Sequence, residues 1–262
     1  MESFNFKKKY GQNFLIDENI VKKIVDIPVK PNSLVIEIGT GDGRLTKYLC
    51  SNFDRVIGYE IDTDVKEKLL TNLKNYDNYN IYFDDFLKRD VLGDLAKEKY
   101  DNLYVIANLP YYITTPIIEK LIDLDVNFEM IKVMVQKEVG ERFSALVGSR
   151  NYGSLTVYLN YNFDVKKDFV VSRNCFFPKP NVDSIVVSLH KKDRISVFNL
   201  PLFYKLVRDS FRFKRKTLRN NLKDYNLFLI EEVLKSHGYD LSVRAEQLSI
   251  EVFCDIANKL SI

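Results

Sequence analysis

The chain has 262 residues, 46% of them hydrophobic, enough for one large domain and a small one, and no apolar run approaches the roughly 18–20 residues of a membrane span. Three scattered cysteines (Cys50, Cys175, Cys254) and two histidines (His190, His237) lack metal-ligand spacing, which argues against a zinc site and for a reduced, cytoplasmic protein. The net charge of +3 is uneven: residues 191–262 hold 14 Lys and Arg against 9 Asp and Glu, the remainder 25 against 27, so a polyanion is the expected partner of the tail.

In chain order, the N-terminal segment is basic and aromatic, with Lys7, Lys8 and Lys9 together as candidate RNA contacts, and has no apolar core of the kind a secretory signal needs. Strands are predicted at Leu34–Ile38, Arg55–Glu60, Asn80–Phe83, Leu103–Ala107 and Met130–Gln136. Helical patterns separate them, including Leu45–Asn52, Asp64–Asn75 and Pro116–Leu124. This alternation predicts a parallel sheet covered by helices on both faces. Two later runs of alternating character, Ser154–Phe163 and Val182–His190, read as an antiparallel hairpin closing one edge.

From Lys191 onward the pattern turns helical, over Leu202–Arg212, Lys216–Leu222, Leu227–Ser236 and Ile250–Leu260. The expected class is α/β: a mostly parallel, Rossmann-like sheet with an antiparallel edge hairpin over residues 1–192, then a small all-helical domain over 193–262. Lys205–Lys223 holds eight basic residues against one acidic, Asp209, and makes Arg212, Lys214, Arg215, Lys216 and Arg219 candidate polyanion contacts. Tyr204, Val207, Phe211, Leu218 and Leu222 form an apolar stripe on the same segment, suited to packing.

Val35–Gly43 is a strand entering a glycine-rich turn, where the backbone can approach a ligand closely. The spacing is G-x-G-x-G rather than the dinucleotide G-x-G-x-x-G. Glu60 ends the next strand, 21 residues after Gly39, where a carboxylate can accept from both ribose hydroxyls of a nucleoside cofactor. The third strand ends in Asp84-Asp85, and a carboxylate there can accept from an adenine amino group.

The fourth strand ends in Asn108-Leu109-Pro110-Tyr111. An exocyclic base amine is a poor nucleophile because its lone pair is delocalised into the ring. The Asn108 side-chain carbonyl and the Leu109 backbone carbonyl together can accept its two N–H groups and aim that lone pair at an electrophile. Pro110 fixes the backbone so that the acceptors stay preorganised, and Tyr111 offers a face for the base to stack on. All four features fall at the carboxyl ends of parallel strands, where such sheets bind ligands. The implied cofactor is S-adenosylmethionine, whose sulfonium methyl is an electrophile of the required kind.

Taken together, the motifs resemble the ribosomal RNA small-subunit adenine N6,N6-dimethyltransferase family of the KsgA type over nearly the whole chain. They are Lys9–Leu15, Glu37–Gly41, Asn108–Pro116, Val135–Val139, Phe176–Ser184, Phe213–Leu222 and Arg244–Ser249. The resemblance implies dimethylation of two adjacent adenosines in the 3′-terminal hairpin loop of 16S rRNA, within a pre-ribosomal particle, by a monomeric enzyme. It also implies that Asn13, Leu15, Gly39, Gly41, Glu60, Ile61, Asp85, Phe86 and Asn108 contact the cofactor and that Tyr111 and Phe176 sandwich the adenine. Tyr112 stands where the family often has Asn, and Phe177 and Lys179 interrupt the proline-rich run, so Phe177 is the alternative stacking face.

Macrolide-resistance methyltransferases of large-subunit rRNA share the opening motif and the glycine-rich turn. Thr115-Pro116, Pro178–Ser184 and Arg215–Arg219 fit the small-subunit enzymes better. Two rivals come from other classes. A nicotinamide oxidoreductase would use the same turn and Glu60 but leaves Asn108–Tyr111 and the basic tail without a role. A non-catalytic RNA-binding or transcription-factor relative would keep the cofactor cleft, and intact Asn108, Pro110 and Tyr111 argue against it.

Overall fold

A computed structural model provides the structure and describes residues 13–262. It falls into two compact units, one comprising the chain up to Gly140 with Lys166–Lys191, the other Glu141–Val165 with Lys192–Ile262. The elements in order are β1 (Phe14–Leu15), α1 (Glu18–Val25), β2 (Ser33–Ile38), α2 (Arg44–Asn52), β3 (Arg55–Tyr59), α3 (Lys66–Asn72), β4 (Tyr79–Tyr82), α4 (Val91–Leu95), β5 (Asn102–Asn108), α5 (Thr114–Asp123) and β6 (Phe128–Gln136). There follow α6 (Lys137–Phe143), α7 (Ser154–Asn162), β7 (Phe163–Val171), β8 (Phe176–Phe177), β9 (Ser184–Lys191), α8 (Leu200–Ser210), α9 (Leu218–Asn221), α10 (Leu227–Ser236) and α11 (Ile250–Leu260).

The central sheet has the order β4-β3-β2-β5-β6-β9-β7. The pairs β3–β4, β2–β3, β2–β5 and β5–β6 are parallel, and β6–β9 is antiparallel. Every residue of β2 is buried, as expected for a strand covered on both faces. From β2 the chain steps outward to β3 and β4, then restarts on the other side with β5 and β6. The switch point therefore lies between the carboxyl ends of β2 and β5, where open α/β sheets bind ligands. It places the glycine-rich turn beside Asn108.

An edge pair of strands is present, and its member β9 forms where alternation predicted it over Val182–His190, but the other does not. Ser154–Asn162 is helix α7, and β7 starts only at Phe163. The helix is buried on several sides, through Thr156, Val157, Tyr158, Leu159, Tyr161 and Asn162, so it lacks the one-sided apolar stripe that announces a helix in sequence. Its buried Asn162 amide is satisfied by donating to the Tyr158 carbonyl.

Residues 141–165 group with the C-terminal helices, so the boundary expected at residue 192 describes only one of the crossings between the units. The reason is aromatic packing: Tyr158 meets Tyr204 edge-on at 5.2 Å, Tyr161 lies 4.5 Å from Phe203, and the Tyr158 hydroxyl donates to the Tyr204 carbonyl. Leu206, Val207, Leu218, Leu222, Ile230, Leu234, Phe253 and Ile256 complete the core of this second unit.

Candidate active site

At the end of β2 the Gly39 N–H donates to the Tyr59 carbonyl, and the chain turns through Gly41 at φ +54°. A Cβ at Gly41 would lie 2.9 Å from the Phe14 ring, so glycine is required by both conformation and space. The Gly41 N–H donates to Glu60 Oε2 and the Asp62 N–H to Glu60 Oε1, each at 2.8 Å. Glu60 thus clamps the glycine-rich turn to the end of β3, and each carboxylate oxygen keeps a lone pair for a ligand. Burial raises its pKa against the pull of these two backbone donors.

Glu37, in the middle of this buried region, was not among the expected site residues. It is 1% exposed, its Oε2 has no hydrogen-bond partner, and burial holds its pKa well above the usual carboxylate value, with Glu60 and Asp42 adding to the shift. The Thr40 hydroxyl beside the turn is also buried and unpartnered. Both residues line the cleft. A charge-capable residue inside an otherwise apolar strand was the signal in the sequence, since such a group is costly to bury without a partner.

Following β4, the Asp85 Oδ1 accepts from the Leu87 N–H, and Phe86 packs edge-on against Tyr59 at 5.2 Å. Asp85, Phe86 and the 41% exposed Ile61 line the same cleft as the glycine-rich turn.

Asn108 closes β5. Its amide Nδ2 donates to the Asn13 carbonyl at 3.2 Å, which leaves Oδ1 as an acceptor. The Leu109 N–H donates to the Met134 carbonyl and its side chain is 1% exposed, so its contribution to the cleft is its backbone. Pro110 has φ −60°, and its carbonyl accepts from the Ile113 N–H and the Thr114 hydroxyl. The Tyr111 hydroxyl hydrogen-bonds with the Ser184 hydroxyl, fixing the ring, and burial raises its pKa. Together Asn13, Leu15, Gly39, Gly41, Glu60, Ile61, Asp85, Phe86 and Asn108–Tyr111 line one cleft that is open to solvent.

Phe176 is not part of it. In the two-stranded β1–β8 ribbon, Leu15 pairs with Phe176 and Phe14 with Phe177. Phe176 is 2% exposed and packs into the hydrophobic core with Leu15, Val171 and Met134, whereas Phe177 is 57% exposed; neither ring lines the cleft, though their ribbon partners Leu15 and Phe14 both do. A ring sealed into the core has no face to offer a base.

In the second unit, Arg212, Lys214, Arg215, Lys216 and Arg219 are all exposed, in and just after the turn between α8 and α9, and none forms an ion pair with a described residue. The turn is built: Asn221 Nδ2 donates to the Ser210 and Phe213 carbonyls. Beneath it Leu218 and Leu222 are fully buried, so the segment has an apolar side and a basic side. Lys7, Lys8 and Lys9 lie outside the described residues. Among the described residues no helix is long and apolar enough to cross a membrane, and no cluster of three His, Cys, Asp or Glu could hold a metal ion.

Residues 3–261 match the family model described as ribosomal RNA adenine dimethylase. The chain is 44% identical over 252 residues to the ribosomal RNA small subunit methyltransferase A of Aster yellows witches'-broom phytoplasma, covering 94% of this chain and 93% of that one. Among solved structures it is similar to a dimethyladenosine transferase from Plasmodium falciparum, with a TM-score of 0.73 and 28% identity over 92% of this chain and 95% of that one. The 23S rRNA methyltransferase ErmE shares the fold, with a TM-score of 0.72 at 22% identity over 95% of this chain and all of that one.

Proposed function

The chain belongs to the ribosomal RNA adenine dimethylase family, and on that premise we propose that it dimethylates N6 of two adjacent adenosines in the 3′-terminal hairpin loop of small-subunit rRNA, using S-adenosylmethionine held in the cleft at the β2–β5 switch point. The small-subunit substrate is favoured over the large-subunit one by the name carried by the relative at 44% identity. The enzyme acts as a cytoplasmic monomer on a pre-ribosomal particle.

When bound, S-adenosylmethionine supplies an electrophilic methyl group on its sulfonium. Glu60 would accept from the ribose hydroxyls and Asp85 from the adenine amino group, with Ile61 and Phe86 as apolar faces for the adenine. Asn13, Leu15, Gly39 and Gly41 bring backbone close to the cofactor. Glu37, with its orphan oxygen, suits the cofactor's ammonium, and this fit is what an apolar nucleotide pocket would lack.

A target adenine must leave its stack to reach the cleft. Tyr111 and Phe177 take it between them, a gain of about 1–3 kcal/mol per stacked base that offsets the unstacking cost. Asn108 Oδ1 and the Leu109 carbonyl accept the two N6 hydrogens and turn the nitrogen lone pair toward the methyl. So aligned, the nitrogen would be held to receive the methyl group, and its N6 proton would depart to solvent. Positioning and exclusion of water supply most of the acceleration.

The observation that carries this proposal is the tie from Asn108 Nδ2 to the Asn13 carbonyl, which commits the amide oxygen to accepting. Asn108→Ala is expected to lower methyl transfer by at least two orders of magnitude, in line with the loss of a preorganised polar group at a reacting centre, with the fold retained. Near-normal turnover in that variant would overturn the role. An unaltered fold binding NADH in place of S-adenosylmethionine would favour an oxidoreductase, and cofactor binding without methylation a non-catalytic relative.

A further inference from the structure

Lys120, on the helix that follows Asn108–Tyr111, spends its ammonium on an unusual set of partners. Its Nζ lies 2.7 Å from the Phe86 carbonyl, 3.1 Å from that of Leu87 and 2.7 Å from that of Arg89. An ammonium has three donors, and three backbone carbonyls of one short segment take them. No carboxylate makes a salt bridge with it among the described residues, and burial lowers its pKa, with Asp85 and Asp90 pulling the other way. The Nζ also sits 5.2 Å from the centroid of the Phe86 ring.

The segment so held joins β4 to α4 and carries Asp85 and Phe86. It is gripped a second time beyond the lysine: Arg89 donates through Nε and Nη2 to both oxygens of Asp94, each at 2.8 Å, and Asp94 is 1% exposed. Arg89 fixes where the segment ends. Lys120 fixes its middle, and does so from α5, which begins at Thr114 directly beyond the proposed amine acceptors. Lys120 sits in the last turn of α5, so a single side chain ties that helix to the segment that carries Asp85 and Phe86.

We propose that Lys120 is a positioning residue that holds the Asp85–Phe86 wall at the spacing needed to read the adenine of the cofactor, in register with Asn108. This rests on the assignment of the cleft to S-adenosylmethionine. Lys120 touches neither substrate nor cofactor and acts through the backbone of residues 86–89. The bland alternative is a brace that contributes to stability alone.

Lys120→Met keeps the aliphatic stem and removes the three donors. Dissociation constants for S-adenosylmethionine and for 5′-methylthioadenosine, which has the adenine but no amino acid, should both rise about tenfold. Turnover at saturating cofactor should stay within about twofold. The loss should be largely absent when Lys120→Met is added to Asp85→Ala, because the residue it positions is already gone. Lys120→Arg, with donors on a fork of different geometry, should bind with intermediate affinity, and serves if the methionine variant does not fold.

Weaker cofactor binding in Asp85→Ala with none in Lys120→Met or Lys120→Arg overturns the role of Lys120 and leaves the cleft assignment standing. Unchanged affinity in both Asp85→Ala and Lys120→Met overturns the adenine assignment itself. A lower melting temperature with additive effects on affinity marks a brace and also overturns the proposal.

Discussion

Glu37 is buried in the cleft with an oxygen that no described residue satisfies. Because burial raises its pKa in the folded state above the ordinary 4.5, its contribution to stability is fully present only below that value and is lost as pH rises through the raised one. Glu37→Gln should therefore be more stable than the native protein at neutral pH, with the difference closing on acidification, as followed by melting temperature against pH. The function runs the opposite way. A bound ammonium favours the ionised carboxylate, so cofactor binding should release a proton and tighten as pH rises. Calorimetry in buffers of different ionisation enthalpy reads that proton, and its persistence in Glu37→Gln would show that it comes from elsewhere. Sequence made Glu60, Asp85 and Asn108 legible, because each ends a strand where a ligand is expected. Glu37 sits within a strand, one residue from the glycine-rich turn, and periodicity alone reads it as a sheet position.

The β1–β8 ribbon shows what an element adds to a residue. Phe176 and Phe177 are neighbours in sequence, and alternation along a strand sends one ring into the core and the other outward. Motif matching alone selects Phe176, whereas exposure selects Phe177. Phe177→Ala should weaken binding of a loop RNA by about 1–3 kcal/mol, the cost of one lost base stack, with little change in melting temperature. Phe176→Ala should instead lower stability by about 3–5 kcal/mol, as for a large-to-small change in a core. The reverse assignment of effects to the two rings would restore Phe176 as the stacking face. Strands β2, β3, β5 and β6 were legible as continuous apolar runs, and helices α10 and α11 because their apolar patterns are one-sided. Helix α7 was not, since Tyr158, Tyr161 and their neighbours are buried on several sides and its apolar residues at every second position, Leu155, Val157, Leu159 and Tyr161, mimic a strand.

At the scale of the molecule, charge divides the labour: a nearly neutral sheet unit with the cleft, and a helical unit with a basic turn. That asymmetry was plain from composition, while the membership of residues 141–165 was not, because it depends on aromatic contacts distant in sequence. Replacing Arg215, Lys216 and Arg219 with Ala should weaken RNA binding and lower the slope of log K against log salt by roughly two to three units, at about 0.7–0.9 per phosphate contact. Affinity for S-adenosylmethionine should not move. An unchanged slope with reduced thermal stability would assign these residues to packing. The most direct measurement is the mapping of N6,N6-dimethyladenosine in small-subunit rRNA from cells lacking this protein, after incubation of the immature subunits with purified enzyme and S-adenosylmethionine. Dimethylation of two adjacent adenosines in the 3′-terminal hairpin by the native protein, and none by Asn108→Ala with its fold intact, is the predicted result. Methylation confined to large-subunit RNA, or equal product from both proteins, would contradict it.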